Sequence, residues 1–421
     1  MIGTSSITAT CRRPEGRFRQ LRRIGTRAGL IRRLELLLRQ PGSSHPEADR
    51  SRFSPASGTT LLAVTTSFLT DFPWKIVLLV ALAVQMTSRQ AIAQRPTTTR
   101  NLESTAAELI LPETQKAIDR GLVYLVNRQH SEGSFGSGTN YRRNVAVTSL
   151  AGMALLSAGH MPGRGTYGKN VDKSIDYVLS CARPTGYIIR EDSAGHGPMY
   201  GHGFATLFLA EVYGMSPRKD IREALKKAVD LIVSSQNREG GWRYSPTDKD
   251  ADVSVTVCQM MALRAARNCG IAVPKTTVDQ CVDYVKKCQN PDGGFRYQLA
   301  IRPQSDFPRS AAGVVTLYSA GMTEGREIER GLAYLLRFPP RGDSMRYDAH
   351  YFYGQYYAVQ AMWHAGDDRW RQWYPAIRDE LAARQQPDGS WPDSLINSEY
   401  ATAMACLVLQ MPNNYLPIFQ R

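Results

Sequence analysis

The chain has 421 residues, 43% of them apolar and 21% charged, which provides for a large folded core and excludes a wholly disordered protein. Its formal net charge of +14 is concentrated at one end, because residues 1–58 carry a net +8 and residues 59–100 a further +3. Residues 101–421 therefore carry only +3, and we expect no nucleic-acid partner.

The first 93 residues predict a basic leader that ends in a secretory signal peptide. Nine consecutive apolar residues, 76–84, follow Lys75, and Ala91 and Ala93 are the small residues expected before a cleavage site. The apolar run is too short to span a bilayer, which takes about 20 residues. We therefore predict an exported protein, periplasmic or extracellular, without a membrane span in its mature form; an uncleaved N-terminal anchor is the alternative. Residues 94–110 are the predicted linker and residues 111–421 the predicted folded domain.

Six of the seven cysteines follow the leader, and none of them forms a CxxC pair. Cys281 and Cys288 lie seven residues apart on one predicted helix, too far along its axis for an easy disulfide. These spacings do not indicate a structural zinc site either. We expect buried free thiols.

Beyond residue 110 the sequence repeats. Four segments share a glutamine, a glycine-containing turn and an aromatic residue: Gln129–Phe135, Gln236–Trp242, Gln289–Phe295 and Gln385–Trp391. The aromatic residues are 107, 53 and 96 positions apart, so each wide gap has room for one more copy. Degenerate copies at 171–188 and 327–340 fill these gaps and give six units of roughly 50 residues over about 110–415.

Each unit predicts two helices. The first is amphipathic, as Ile118, Gly121, Leu122 and Leu125 illustrate with their spacing of three, four and seven residues. The second is apolar on nearly all sides, which predicts burial between an outer layer and a central space. Six such pairs predict an all-α fold, a single (α/α)6 toroid of six outer/inner helix pairs.

The recurring Gln-x-x-x-Gly-Gly/Ser-Phe/Trp pattern resembles the QW repeat of terpenoid cyclases and the matching turn of protein prenyltransferase β subunits. The resemblance covers essentially the whole chain after the leader. It implies a structural role for the motif, in which the amide ties helix ends together and the ring packs against a neighbouring helix. The residues concerned are Gln129, Phe135, Gln236, Trp242, Gln289, Phe295, Gln385 and Trp391.

If the six inner helices run parallel, their N-termini surround one mouth of the barrel, where free N–H groups attract anions. This mouth is the default ligand site. The alternative is structural, because Asp252 and Glu399 can cap helix starts and the arginines can be solvated rim charges. Residues near these starts are Arg143, Tyr200, His202, Lys249, Asp252, Arg309, His350, Tyr353 and Glu399.

Three segments, 201–206, 240–254 and 306–310, are similar to ligand-binding motifs of protein prenyltransferases. His202 corresponds to a histidine that binds the isoprenoid diphosphate, and Lys249 to a diphosphate-binding lysine. Asp252 corresponds to the zinc aspartate, but Ser254 and Arg309 stand where the zinc-bound cysteine and histidine should be. Because a zinc site normally needs at least three protein ligands, no zinc and no other cofactor is predicted.

The same region is similar to the D-x-D-D motif with which class II terpene cyclases protonate an alkene or epoxide. Here Asp250 and Asp252 are the candidate catalytic pair, since two close carboxylates can raise one pKa and supply a general acid. The fourth motif position, Val253, is apolar, and the chain has room for one helical barrel where such cyclases normally have two.

The fifth inner helix is unusually aromatic. Tyr353 and Tyr357, with Trp363 further along, are candidate pocket residues whose ring faces hold an apolar polyene or a carbocation. Tight helix packing is the other interpretation. Two hypotheses follow: a protein that binds, and acts on, an apolar isoprenoid-like molecule through an anionic end near His202, Lys249 and Arg309, or a non-catalytic scaffold that binds a protein partner.

Overall fold

The computed structural model describes residues 107–421, except 194, 217, 248 and 342–349. The predicted leader and signal peptide, and residues 94–106 of the predicted linker, lie outside the described residues.

The described part of the chain contains twelve α-helices and no β-strand. They are α1 (Pro112–Arg128), α2 (Val145–Ser157), α3 (Gly168–Ser180), α4 (Pro198–Tyr213), α5 (Lys219–Ser234), α6 (Val253–Asn268), α7 (Lys275–Cys288), α8 (Phe307–Ser319), α9 (Arg326–Leu335), α10 (Tyr351–Ala365), α11 (Asp367–Arg384) and α12 (Ser398–Leu409). Odd-numbered helices form the outer layer and even-numbered helices the inner one. The predicted all-α toroid of six outer/inner pairs is confirmed.

The inner helices form a closed ring. Each packs against the next, and α12 packs back against α2. Every residue of α2 except Ala146 is buried, as its uniformly apolar sequence predicts. The outer helices bury one face each: α1 buries Ile118, Gly121, Leu122 and Leu125, the four residues whose spacing predicted an amphipathic helix.

The turns after five of the outer helices each require a glycine, because of their backbone conformation and because the next outer helix lies so close. Gly240 has a φ of +101°, and a Cβ there would lie 2.1 Å from the carbonyl oxygen of Gln280 in the next outer helix. The same arrangement recurs in four other turns, including that of the degenerate second unit, at Gly133, Gly186, Gly293 and Gly389. The turn therefore presses directly on the backbone of the following unit.

The motif glutamines join each turn to the next outer helix. Gln236 Nε2 donates to the carbonyl oxygens of Gly240 at 2.8 Å and Thr277 at 2.9 Å. Gln129 and Gln289 make the corresponding pairs of bonds. Gln385 donates to Ala117 O at 2.8 Å, so the sixth turn is joined to α1 of the first unit.

The motif aromatic residues are buried between helices. Phe135, Trp242, Phe295 and Trp391 have at most 1% of their surface exposed. The indole N–H groups of the two tryptophans donate to backbone carbonyl oxygens near the ends of the preceding outer helices, at 2.7 Å and 2.8 Å.

The segment after α12 covers the C-terminal ends of the inner helices. Gln410 Nε2 donates to Ala154 O near the end of α2, and the Trp363 indole of α10 donates to Phe419 O. The mouth at the helix N-termini is therefore the end of the ring at which a pocket remains.

The six cysteines of the described region are free thiols, as predicted, and only Cys269 is not fully buried. Within the same residues no helix is long and apolar enough to cross a membrane.

Candidate functional site

A pocket of about 470 Å³ opens among the N-termini of the inner helices. All six inner helices contribute to it, with Ala146, Tyr200, Ser254, Arg309, Tyr353 and Tyr400 as one representative each. The remaining wall comes from the loops that lead into these helices. The default site inferred from parallel inner helices thus coincides with a cavity.

The pocket has two unlike walls. The start of α2 and the loop before α12 supply aliphatic side chains, Ala146, Val147, Leu150, Leu395 and Ile396. The starts of α4, α6 and α8, with the loops before them, supply phenols and charges, Tyr200, Tyr244, Tyr297, Asp306 and Arg309. We call these the aliphatic wall and the phenolic wall. A ligand that matched both would be apolar at one end and hydrogen-bonding at the other.

Arg309, one of the predicted ligand-binding residues, lines the phenolic wall next to its own helix cap. Asp306 Oδ1 accepts from the Arg309 backbone N–H at 3.0 Å, and Asp306 Oδ2 lies 2.6 Å from Arg309 Nη2. Arg309 Nε is buried without an acceptor. The charge of Arg309 is therefore paired within the protein, and its Nε–H is enclosed without an acceptor.

Two tyrosines of the phenolic wall share a hydrogen bond. The hydroxyls of Tyr244 and Tyr297 are 2.5 Å apart, and Arg243 Nη1 donates to Tyr297 at 2.5 Å. The Arg243 guanidinium also lies over the Tyr244 ring, 4.2 Å from its centroid, a cation–π contact. Burial works against the charge of Arg243, but its bonds to Tyr297 and Asp252 outweigh that effect and raise its pKa.

Asp252, the predicted catalytic acid, does not line the pocket. Its side chain is fully buried, its Oδ1 caps α6 by accepting from Val255 N at 2.8 Å, and its Oδ2 lies 2.8 Å from Arg243 Nη1. Burial raises the pKa of Asp252 to about 6, against the opposing effect of the bonds from Val255 and Arg243. The side chain therefore caps its helix, as the structural alternative predicted.

The repeat itself explains this placement. Asn144 caps α2, Asp306 caps α8 and Asn397 caps α12 in the same way, each accepting from backbone N–H groups of the first turn. Asp252 occupies the corresponding place at α6. Asparagine and aspartate are strong N-caps, so one structural requirement accounts for the residue type at all four positions.

Asp250 and Lys249 are exposed and stand outside the pocket lining. Asp250 Oδ2 lies 3.2 Å from Arg243 Nε and accepts from Gln298 Nε2. The predicted pairing of Asp250 and Asp252 is thus mediated by Arg243, because both carboxylates contact this one guanidinium.

His202, a predicted ligand-binding residue, is buried below the mouth with both ring nitrogens engaged. Nδ1 accepts from Ile188 N at 3.2 Å, which leaves Nε2 to donate to Ala228 O at 3.2 Å. Burial lowers the pKa of His202 to about 4 and keeps the ring neutral. In four other units a hydroxyl accepts from the backbone N–H of the motif aromatic residue in the same way, so His202 replaces a structural hydroxyl; the four residues are Thr148, Thr256, Ser310 and Thr402.

The predicted aromatic residues divide by depth. Tyr200, His350 and Tyr353 line the pocket, and the Tyr353 hydroxyl donates to Ser254 O at 2.9 Å. Tyr357 lies outside the lining, fully buried, with its ring edge-on to Tyr353 and its hydroxyl 3.2 Å from Cys258 Sγ. Tyr357 packs, whereas the other three are placed to contact a ligand.

The other two candidates near the helix starts also lie away from the pocket. Arg143 pairs with Glu132 at 2.9 Å, and Glu399 is buried and pairs with Arg128 at 3.0 Å. Across the described residues, no three His, Cys, Asp or Glu side chains are grouped so as to hold a metal ion.

Neither Tyr244 nor Tyr297 is among the site residues predicted from the sequence. The signal was present, because Trp242-Arg243-Tyr244 and Phe295-Arg296-Tyr297 repeat the same three-residue pattern after the glycine turn. The structure repeats it as well: Tyr244 O accepts from Met199 N at the start of α4, and Tyr297 O accepts from Val253 N at the start of α6. Each tyrosine is therefore fixed by its backbone to the preceding inner helix.

The family model described as the prenyltransferase alpha-alpha toroid domain matches residues 101–275, 196–303 and 268–416. The chain belongs to this family. A drimenyl diphosphate synthase from Streptomyces showdoensis is 27% identical to this toroid over 189 residues, which are 44% of this chain and 32% of the relative. The match thus spans about a third of the length of that curated relative.

Solved structures share the toroid. The type II terpene cyclase MstE from Scytonema, determined with geranylgeranyl dihydroxybenzoate as substrate, is 13% identical with a TM-score of 0.53, covering 72% of this chain and 98% of that one. An α-1,6-mannanase from a Salegentibacter species, determined with α-1,6-mannotriose, is 6% identical with a TM-score of 0.52, covering 71% and 99%. At these identities the likeness concerns the fold alone.

Proposed function

We propose that this toroid binds an apolar, isoprenoid-like small molecule in the mouth pocket. The observation that carries the proposal is the pocket itself: its volume of about 470 Å³ falls in the range of small-molecule sites, and an aliphatic wall faces a phenolic one. The relatives add support, because one is named for drimenyl diphosphate synthesis and a structural neighbour was determined with a geranylgeranyl compound.

The geometry favours a protein that binds the isoprenoid-like molecule and does not cyclise it. Both oxygens of Asp252 are occupied, by Val255 N and by Arg243, and the side chain is shielded from the pocket. A general acid must reach the group that it protonates, directly or through one water. A non-catalytic scaffold that binds a protein partner on the same fold remains the alternative function.

We propose that this function does not use zinc. The positions that correspond to zinc ligands in protein prenyltransferases hold Asp252, already paired with Arg243, together with Ser254 and Arg309. Zinc sites in proteins are built mainly from thiolate and imidazole, and a guanidinium next to the site opposes the bound cation. The residues present do not fit the metal.

We also propose that the protein is exported. The support is the sequence around Ala91 and Ala93, with its positive flank and short apolar run. N-terminal sequencing of the protein isolated from fractionated cells tests this proposal. A mature chain that starts at Gln94 outside the cytoplasm supports it, and an intact leader on a cytoplasmic protein contradicts it.

The binding proposal is tested by filling the pocket. Gly201 lines it, and a Cβ at Gly201 meets nothing closer than 3.8 Å. A leucine there would project into the cavity, whereas an alanine would occupy little of it. We expect Gly201→Leu to weaken farnesol binding at least about tenfold and Gly201→Ala to leave it nearly unchanged, since a few lost apolar contacts are worth roughly that factor.

The binding is measured by quenching of intrinsic fluorescence or by calorimetry on the purified protein. Equal affinity of wild type and Gly201→Leu, or no binding of farnesol by the wild type, contradicts the proposal. Asp252→Asn separates binding from catalysis, because asparagine keeps the cap. We expect it to bind farnesol like the wild type; a wild-type turnover of polyprenyl substrates that Asp252→Asn abolishes would establish a cyclase instead.

A further inference from the structure

The arginines of the described residues at the phenolic wall are paired with carboxylates of the protein. Of the described residues that line the pocket, Asp306 and Arg309 form an ion pair at 2.6 Å. Arg243, directly behind the tyrosine pair, lies 2.8 Å from Asp252 and 3.2 Å from Asp250. Arg309 in the phenolic wall and Arg243 behind it therefore both have carboxylate partners, and these five side chains carry three negative and two positive formal charges.

The helix N-termini do not restore a positive field on this side. The starts of α6 and α8 carry the acidic caps Asp252 and Asp306, whose charge offsets the positive end of the helix dipole. Lys249, the one lysine expected at the mouth, is exposed and away from the lining. Among the described residues of this wall, a ligand group with two or three negative charges would lose its hydration without meeting an unpaired cation.

The phenolic wall does offer a hydrogen-bond donor. Tyr297 accepts from Arg243 Nη1, and the Tyr244–Tyr297 contact uses one of the two phenolic protons. One O–H proton of the pair is therefore left to donate to a ligand. A neutral oxygen accepts such a bond without adding charge.

We propose that the ligand is an uncharged amphiphile, a terpenoid chain or fused-ring terpenoid that ends in a hydroxyl, rather than a prenyl diphosphate. Its hydroxyl meets the Tyr244–Tyr297 pair, and its hydrocarbon part lies along the aliphatic wall. This inference rests on the proposed function, since it specifies which apolar molecule the same pocket takes. It replaces the expectation of an anionic end bound by His202, Lys249 and Arg309.

The test compares farnesol, farnesyl diphosphate and the hydrocarbon farnesene on the purified full chain in 0.15 M salt, about physiological ionic strength. We expect farnesol to bind at least about tenfold more tightly than the diphosphate, because the latter carries unpaired charge into the pocket. Asp306→Asn keeps the cap of α8 but releases Arg309 from its ion pair. We expect this variant to bind the diphosphate more tightly than the wild type does.

Tyrosine variants test where the hydroxyl lies. We expect the double variant Tyr244→Phe/Tyr297→Phe, which removes both phenolic protons, to weaken farnesol binding about threefold to tenfold, the usual effect of one hydrogen bond, and to leave farnesene binding unchanged. Tyr400→Phe is the matched control, since Tyr400 lines the pocket at α12, away from the phenolic wall. We expect it to bind both ligands like the wild type.

The outcomes separate the two proposals. Tighter binding of farnesyl diphosphate than of farnesol by the wild type overturns the uncharged ligand and leaves the apolar pocket standing. Binding of none of the three probes overturns both. Equal effects of Tyr244→Phe/Tyr297→Phe on farnesol and farnesene overturn the placement of the hydroxyl. The comparison of wild-type affinities holds even if one of the variants does not fold.

Discussion

Alanine at Gly240 is expected to destabilise the toroid for two separable reasons. A φ of +101° costs free energy for a residue with a Cβ. The new Cβ would also lie 2.1 Å from Gln280 O, far closer than non-bonded atoms approach, so the turn or the next helix would have to move. Gly321 shares the first reason and not the second, because its φ is +95° and nothing lies within 4 Å of its Cβ position. The pair of variants therefore isolates the contact between units.

The expected magnitudes follow from these two contributions. The left-handed conformation costs about 1–2 kcal/mol for a residue with a Cβ, and this applies to both variants. Forcing an atom into a well-packed contact adds about 1–3 kcal/mol, and this applies to Gly240→Ala alone. We therefore expect a loss in the free energy of unfolding of about 2–5 kcal/mol for Gly240→Ala and about 1–2 kcal/mol for Gly321→Ala.

Equilibrium urea unfolding, followed by far-ultraviolet circular dichroism, measures both losses under one set of conditions. The wild type is the reference, and Gly138→Ala is a second control for the backbone strain alone, since the φ of Gly138 is +77° and a Cβ there meets nothing within 4 Å. If Gly240→Ala and Gly321→Ala lose the same free energy, the turn does not press on the next outer helix, and the account of the repeated glycine is wrong.

Three further variants probe buried polar groups and are read from the same urea midpoints. Burial lowers the pKa of His202 to about 4, below the value of 6.5 in the unfolded chain. The contribution of neutral His202 is therefore complete above pH 6.5, and the free energy of unfolding falls by about 3 kcal/mol as the pH drops to 4. His202→Gln should remove this loss at acid pH, and an unchanged pH profile would contradict the prediction. Burial raises the pKa of Glu211 to about 8, above the value of 4.5 in the unfolded chain. The contribution of protonated Glu211 is therefore complete below pH 4.5, and the free energy of unfolding falls by about 5 kcal/mol as the pH rises through 8. Glu211→Gln should flatten this decline, and a decline that persists would show that other groups cause it. Trp391→Phe removes the bond from the indole N–H to Leu381 O and should cost about 1–3 kcal/mol, because the buried carbonyl loses its partner; no loss at all would mean that water replaces the indole.

Much of the fold was predictable because its signals are local and repeated. The spacing of Ile118, Leu122 and Leu125 identifies an amphipathic helix within one unit, and six occurrences of the same pattern support one another. The distances between motif aromatic residues even located the degenerate second unit, whose Gly186 makes the same close contact as Gly240 does. Because the same pattern occurs in every unit, a weak copy is identified by its distance from the clear copies.

The site was predicted less well, since sequence spacing places a residue on a turn of helix but does not say which way its side chain points. Asp252 and Asp306 occupy equivalent caps, yet Asp306 borders the pocket and Asp252 does not. His202 stands in a row of threonine and serine residues that accept from a backbone N–H, a relation visible only when the units are superimposed. A comparison of the units with one another, rather than with motifs of other proteins, would have assigned structural roles to Asp252 and His202.

The bond from Gln385 to Ala117 O has a consequence for how a ligand affects the molecule. Linear repeat proteins have end units, which need polar caps and can fray independently of the rest. Here the last turn contacts the first helix, Arg120 Nη2 donates to Gln386 O at 2.7 Å, and no unit is terminal. Since all six inner helices contribute to the pocket, opening the ring anywhere destroys the site. A bound ligand would therefore protect all six units from unfolding together, by an amount that its concentration and affinity set.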